Sequence, residues 1–352
     1  MSSNYSSVKS NSLNVNKLTA LWGFSEAALG GILHALRIPF TGLFVGGAAV
    51  FFISLIAQYS NSKSQILKST LIVILVKVVV TPFVPFTSYF AVFVQGIIGY
   101  LLFRFIRVKS IATFLFGIFA LSLSAFQKII ILTILFGNGF WVAIDSFMKF
   151  LVMQFSLPKN FMNFSISLIL ISVYTLLHIS AGIYVSIKVL NFEKWFSKKK
   201  KELNINVFSF TDDSDYFEKK KVGKKKHWWQ KKSGIAILTI SFFIMIISYK
   251  YPQLGKNLAY EILFMLVRSF LITFIWFEII SPRLAKYLKS FFDKKKFEHA
   301  SEVNAITSLF PEFKRVINYT WSISKNMKGV ARISHFLSST IALLFLLEAN
   351  EE

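Results

Sequence analysis

Long apolar runs, separated by short polar or basic segments, make up most of this chain of 352 residues. About 20 apolar residues suffice for a helix to cross a bilayer, and several runs approach that length. The pattern predicts membrane helices near 18–36, 40–59, 66–81, 86–104, 110–137, 162–193, 233–250 and 256–280. A shorter apolar stretch at 333–348 could cross the bilayer or lie flat. We therefore expect an all-α integral membrane protein with eight or nine spans, beginning with a six-helix bundle.

Polar segments set the predicted domain boundaries. Residues 1–17 form a Ser- and Asn-rich N-terminus, and 196–232 form a lysine-rich linker of the kind that stays solvated near anionic lipid. The six-helix domain therefore occupies 18–195. The remainder, 233–352, combines membrane helices with a region at 283–330 where charges mix with apolar residues at helical spacing. Its amphipathic helices are predicted to lie along the cytoplasmic face.

Lysine and arginine residues alternate between the predicted loops. They lie before the first helix, after the second, fourth and sixth helices, and are scarce around 37–39, 82–87 and 138–160. Because cytoplasmic loops carry the excess of Lys and Arg, this predicts a cytoplasmic N-terminus. Frequent Phe, Lys, Ile and Asn hint at an AT-rich bacterial genome, and we expect a location in the bacterial inner membrane. The third outer connection, 140–157, has the spacing of a short interfacial helix.

Composition excludes several classes of protein. With 54% hydrophobic residues, 40 Phe and 16% charged residues, the chain is too apolar for a soluble protein. The net charge of +23 comes from Lys and Arg clustered between apolar runs, which favours contact with anionic lipids over nucleic acid. There is no cysteine, no metal-ligand spacing and no phosphate-binding loop, so we expect neither an enzyme nor a cofactor.

Polar side chains inside apolar helices are costly and point to a function or to a paired structural site. With the deduced orientation, several of them converge in the outer half of the bundle, under the outer loops. We expect them to bind a small anionic solute, with Lys77 and Lys128 as counter-charges and aromatic walls beside them. The predicted substrate-binding residues are Arg37, Lys77, Tyr89, Gln95, Gln127, Lys128 and Trp141. Alternatively, each lysine extends to the interface or pairs locally.

The first helix carries further polar and small residues. Glu26 and His34 share one face, where they either contact a partner or make an interhelix hydrogen bond; His178 on the sixth helix is expected to be a packed histidine. Small residues recur at every fourth position, at Gly23, Ala27, Gly31 and Ala35. Since lipid provides no hydrophobic drive between helices, such a ribbon favours close docking against another protein surface.

Residues 18–193 resemble the substrate-binding S component of an energy-coupling factor transporter, a class of vitamin importer. The resemblance rests on six helices with both ends inside, the small-residue ribbon Ala27-x-x-x-Gly31-x-x-x-Ala35, the RIPFTG turn, and the stretch PFVPFTSYFAVFVQGIIGYLLFRF. It implies that the ribbon docks on a scaffold. It also implies that solute binds from outside and that ATPase subunits are supplied in trans.

The second half resembles a reduced T component, in which amphipathic helices with Ala-Arg motifs insert into the ATPases. Ala331-Arg332 is the matching pair, and the resemblance makes both residues candidates for partner docking. A C-terminal domain with a role of its own is the alternative. The sequence thus predicts a membrane subunit of a nutrient transporter. A non-transport subunit of a secretion or motility machine is the rival interpretation, in which the ribbon is a permanent joint between subunits.

Overall fold

The computed structural model describes residues 15–35, 40–81, 86–155, 165–202, 239 and 258–346. Within these ranges the regular elements are helices and no strand occurs. The all-α prediction is therefore confirmed for the described part of the chain. The predicted helix near 233–250, the linker beyond residue 202 and the loop that holds Arg37 lie outside it.

The first six predicted helices form within a few residues of their expected bounds, and the predicted interfacial helix forms between the fifth and the sixth. They are α1 at 15–35, α2 at Thr41–Tyr59, α3 at Ser64–Val80, α4 at Phe86–Phe105, α5 at Lys109–Phe136, α6 at Gly139–Gln154 and α7 at Ile166–Leu190.

A basic helix, α8 (Phe192–Glu202), follows α7 after one turn residue. The helix α9 (Leu258–Phe274) continues through a π-helical turn at Ile275–Ile280 into α10 (Ser281–Glu298). Three helices follow: α11 (Ala300–Ser308), α12 (Phe310–Ile323) and α13 (Gly329–Leu346).

Six of the described helices are long and apolar enough to cross a membrane. They are Thr41–Tyr59, Thr87–Phe105, Lys109–Phe136, Ile166–Leu190, Leu263–Leu284 and Gly329–Leu346. In α5 and α7 only 17% of the most apolar window is buried, and side chains such as Phe119 and Leu176 are more than half exposed. Such exposed apolar faces suit lipid rather than water. The chain is accordingly a multi-pass membrane protein.

Contacts divide the chain into two compact units that interleave along the sequence. The first comprises 1–127, 172–203 and 283–352; the second comprises 128–171 and 204–282. The predicted domains are continuous stretches of the chain. The observed units are not, because residues from 283 onward share a unit with α1 to α4.

The amphipathic helices α11 and α12 bury their apolar faces against the first helices of the chain. Ile306 lies 3.9 Å from the position that a Cβ on Gly23 would take, and the Phe313 ring meets Phe24 edge-on at 5.5 Å. Val303, Phe313 and Val316 are each 1% exposed. The amphipathic helices that the spacing predicts are present as α11 and α12. Their apolar sides pack against α1 of the same chain.

In the second unit, Asp145 of α6 caps the first turn of α7. One carboxylate oxygen accepts the backbone N–H of Ser167 at 2.8 Å, and the other accepts the hydroxyls of Ser165 and Ser167 at 2.9 and 3.0 Å. The first N–H groups of a helix have no partner within the helix, so a carboxylate there supplies one. These hydrogen bonds, that of the Ser167 N–H above all, hold the pKa of Asp145 below its usual value.

Candidate functional site

A widened turn interrupts α1 where its one acidic residue lies. The segment Ser25–Leu29 is π-helical, between α-helical stretches at 15–24 and Gly30–Ala35. A π-helical turn holds an extra residue, and such turns are found often at functional sites. Glu26 is the second residue of this turn, which packs against both α2 and α3.

Glu26 forms an ion pair with Lys77 of α3 deep inside the first unit. The Lys77 Nζ donates to Glu26 Oε2 at 2.7 Å, and the two side chains are 3% and 1% exposed. Removing charges from water is expensive, and their attraction offsets this only when the geometry is good and the remaining polar atoms are satisfied. The local pairing that the sequence left open for Lys77 is therefore present, and Glu26 is its partner.

The second oxygen of Glu26 has no such compensation. Glu26 Oε1 is buried and accepts no hydrogen bond from any residue that the structure describes. One turn earlier on α1, the indole N–H of Trp22 is also buried without an acceptor among those residues. A buried polar atom without a partner destabilises the fold by roughly 1–3 kcal/mol. The α1–α3 contact thus contains a buried acceptor and a buried donor that its own packing leaves without described partners.

Hydrogen bonds connect the backbone carbonyl of Lys77 to a predicted site residue on α4. The Thr81 hydroxyl donates to the Lys77 carbonyl at 2.9 Å, and the Tyr89 hydroxyl donates to the Thr81 carbonyl at 3.0 Å. Further along the same helix contact, the Thr19 hydroxyl donates to Ser69 at 2.8 Å. Lys77 and Tyr89, both predicted to bind substrate, are therefore brought together through Thr81.

Of the other predicted substrate-binding residues, the structure describes four: Gln95, Gln127, Lys128 and Trp141. Gln95 is 7% exposed, with its amide nitrogen 3.4 Å from where a Cβ on Gly46 would stand. Gln127 is half-buried on α5, and Lys128 beside it is exposed. The indole N–H of Trp141 donates to the Thr133 hydroxyl at 3.0 Å. Their common pocket stays a prediction, with Lys128 and Trp141 in the second unit.

Two grooves open between described side chains. One, of about 300 Å³, lies between α3 and α4 and is mostly apolar. The other, of about 230 Å³, follows the end of α9 and its π-helical turn, where Phe274 and Glu278 contribute to the lining. Neither groove is lined by a predicted substrate-binding residue.

The predicted docking ribbon on α1 is covered at one end and open further along. A Cβ on Gly23 would stand 3.4 Å from Val76, and Ala27 is 2% exposed. By contrast, a Cβ on Gly31 would meet no described atom within 4 Å. The structure does not describe the side chain of Ala35. The ribbon therefore serves packing within the chain at Gly23 and Ala27 and offers free space at Gly31.

The Ala-Arg pair is partly engaged inside the chain. Ala331 is exposed, whereas the Arg332 guanidinium lies 4.2 Å from the centre of the Trp321 ring. Its Nε is buried without a hydrogen-bond acceptor among the residues that the structure places. A cation over an indole face is stabilised by the ring quadrupole, so α13 is tied to α12 through this residue.

His178 is fully buried on α7, as the packed histidine predicted from the sequence would be. Its Nδ1 lies 2.8 Å from the Tyr174 carbonyl, an arrangement in which Nδ1 carries the proton and donates. Among the described residues, no three His, Asp or Glu side chains group closely enough to hold a metal ion.

Both members of the ion pair stood out in the sequence, but the sequence did not show that they pair with each other. An ionisable residue within an apolar helix was the signal for each. Helical spacing places residues on faces, but the rotation of α1 against α3 depends on packing. No protein-family model, curated protein or solved structure matches this chain.

Proposed function

We propose that this chain is the solute-binding membrane subunit of an uptake transporter, and that it takes a small solute with a carboxylate group. The single observation that supports the proposal is the buried Glu26–Lys77 pair at a π-helical turn. Ionisable residues inside membrane proteins commonly mark the path of a substrate or an ion. As the resemblance to an S component implies, ATPase subunits would act in trans.

A purely structural role explains the pair poorly. Replacing a buried ion pair by apolar residues of similar size is often neutral or stabilising, so a charge pair is weak evidence for stability. A lysine that gives up one carboxylate can take another. In this proposal the solute carboxylate replaces Glu26 at the Lys77 ammonium, and the widened turn of α1 lets Glu26 move aside.

The test is purification from the native membrane in mild detergent, with mass spectrometry of the small molecules and proteins that accompany the chain. We expect the wild-type chain to carry a carboxylate-bearing solute together with ATPase subunits. The neutral double variant Glu26→Gln/Lys77→Met should retain its fold and its protein partners but lose the solute. Solute retained by the double variant would overturn the assignment of Lys77.

Lys128→Ala is the matched comparison, because Lys128 is an exposed lysine of the same predicted site. If Lys128 belongs to the pocket, as its position in the sequence suggests, Lys128→Ala should also abolish solute binding. Binding undiminished by Lys128→Ala but lost in the double variant would restrict the site to the neighbourhood of Lys77.

A second candidate function is that of a permanent, non-transport subunit of a larger membrane assembly. The open space beside Gly31 favours it, since a partner helix could approach closely there. Gly31→Leu separates the two functions. Loss of solute uptake with solute binding intact supports the transporter. Loss of a stable complex from a wild-type chain that carries no solute supports the structural subunit.

A further inference from the structure

Glu26 uses one of its two carboxylate oxygens in the ion pair. An ionised carboxylate offers about four lone-pair sites on two oxygens. Lys77 takes one of them, at 2.7 Å from Oε2, while Oε1 is buried and free of any described donor. The group is therefore a carboxylate buried inside the first unit, with an oxygen available to a proton.

Lys77 is the charged group that the structure places in contact with Glu26, and the charged residues of the surrounding helices can be named in turn. Between its ends α2 contains no Asp, Glu, His, Lys or Arg. The other ionisable residue of α3 is Lys68, which lies 3.2 Å from Glu302 of α11. On α1 itself, Lys17 donates to the Phe345 carbonyl at 2.9 Å, and His34 lies two turns beyond Glu26. The charged residues of α12, which meets α1 at Phe24, are Glu312, Lys314 and Arg315.

Charge balance then couples two binding events. A lone ammonium at this depth is strongly disfavoured, because removing one partner from a buried pair leaves an uncompensated charge. If Glu26 takes up a proton on Oε1, Lys77 loses its counter-charge and becomes a site for an external anion. The neutral carboxyl, the ammonium and one solute carboxylate sum to the same net charge as the original pair.

We propose that Glu26 is a proton-binding site and that its protonation drives the binding of a carboxylate to Lys77. One proton and one carboxylate thus enter the bundle together. Loss of the proton restores the Glu26–Lys77 pair and displaces the carboxylate. The inference rests on the proposed function for the identity of the solute, and it leaves the energy source to the partner subunits.

The π-helical turn provides the movement that this exchange needs. Returning Ser25–Leu29 to α-helical hydrogen bonding would change the register of Glu26 relative to the rest of α1, because a π-helical turn holds one residue more. The next residues are Gly30 and Gly31, and a Cβ on either would meet none of the described atoms closer than 3.8 Å. This end of α1 therefore has room for a change of register.

The experiment is an infrared pH titration of the full chain in lipid nanodiscs, with acetate as the carboxylate probe. The neutral carboxyl group of Glu26 gives a C=O band that Glu26→Gln removes and Asp145→Asn leaves in place. Because coupling is reciprocal, acetate should raise the midpoint of the band. The shift should be about one pH unit for each tenfold increase in acetate above its dissociation constant.

A midpoint that does not move with acetate, or a band that is absent when the medium is acidified, overturns the proposal. Lys77→Met serves as the second variant and should keep the Glu26 band while abolishing its dependence on acetate. Failure here is distinct from failure of the proposed function. Solute recovered from wild-type membranes without proton linkage overturns only the coupling. An acetate-dependent midpoint in a chain that carries no solute supports the coupling and contradicts the uptake role.

Discussion

The α5–α7 crossing and the α1–α3 contact are both helix packings within the first compact unit, yet they treat polar groups in opposite ways. At the crossing, a Cβ on Gly182 would stand 2.3 Å from the Gly117 carbonyl oxygen, so the two backbones touch. The Ser186 hydroxyl bonds the carbonyls of Thr113 and Gly182 at 3.0 and 2.8 Å. The two described hydroxyls at this crossing, those of Thr113 and Ser186, therefore both have partners.

The α1–α3 contact instead holds two buried charges, a widened turn and a carboxylate oxygen without a described donor. Small residues with satisfied hydroxyls are what helix association in lipid requires. An unsatisfied ionic contact contributes less stability than its gross attraction suggests. In the exchange that we propose, the crossing holds the bundle together and the α1–α3 contact changes state.

The largest effect should come from breaking the ion pair on one side. Lys77→Met leaves the Glu26 carboxylate buried and unpaired, so we expect the free energy of unfolding to fall by about 3–5 kcal/mol. Adding Glu26→Gln should restore most of this loss. Unfolding in detergent, followed for all three variants, measures both effects.

Lys68→Met is the matched control for the Lys77→Met variant, because Lys68 pairs with Glu302 near the surface. The Lys68 side chain is 48% exposed and that of Glu302 is 34% exposed. Exposed pairs contribute about 0–1 kcal/mol, so this variant should unfold almost as the wild type does. A Lys77→Met variant no less stable than Lys68→Met would show that the Glu26–Lys77 pair is not buried away from water.

The next effect concerns the glycine crossing. In Gly182→Ala the new methyl group meets backbone atoms of α5, which cannot rotate away, and the helices must separate. Overpacking of this kind should lower the free energy of unfolding by about 1–3 kcal/mol. Since the crossing has no role in the proposed exchange, solute recovery should be unchanged at temperatures where the variant is folded.

Gly31→Ala is the control for the glycine crossing, because its methyl group enters open space. An alanine in a helix is favoured over glycine by about 1 kcal/mol, so this variant should be neutral or slightly stabilised. Equal destabilisation by both alanine variants would contradict the distinction between a closed crossing and an open ribbon.

The smallest effect concerns Asp145, whose two carboxylate oxygens both accept hydrogen bonds, in contrast to Glu26, where one oxygen does so from a described donor. The pKa of Asp145 lies below its usual value when folded, since its hydrogen bonds favour the charged form. Its contribution is therefore present at neutral pH and is lost as the pH falls through the folded pKa. Asp145→Ala should lower stability by about 1 kcal/mol at neutral pH, as the loss of a helix cap does.

Unfolding measured against pH checks this prediction. The difference in free energy of unfolding between wild type and Asp145→Ala should disappear on acidification. A difference that persists at low pH would show that packing, not the charged cap, is responsible. Asp145→Asn is the finer control, because it keeps an acceptor oxygen without the charge.

The sequence predicted the helices of this protein well because a helix in a membrane is a local property. Apolar runs of sufficient length, ended by polar residues, prolines or a glycine such as Gly137, leave the backbone no other way to satisfy its hydrogen bonds in lipid. The approximate bounds of α1 to α5 and α7 followed from that rule, whereas the short helix α6 was predicted from the spacing of its apolar residues. The ribbon on α1 and the two ionisable residues of the candidate site were also visible in the sequence.

Only the tertiary structure decided which of these residues meet. Helical spacing assigns Glu26, Lys77 and Lys128 to faces, but it does not set the rotation of one helix against another, which depends on contacts such as Gly23 with Val76. For the same reason the covering of α11 and α12 by the first helices was not predictable, because it joins residues far apart in the chain. The sequence determined that the protein is a helical membrane protein, and packing determined that Glu26 and Lys77 form its buried pair.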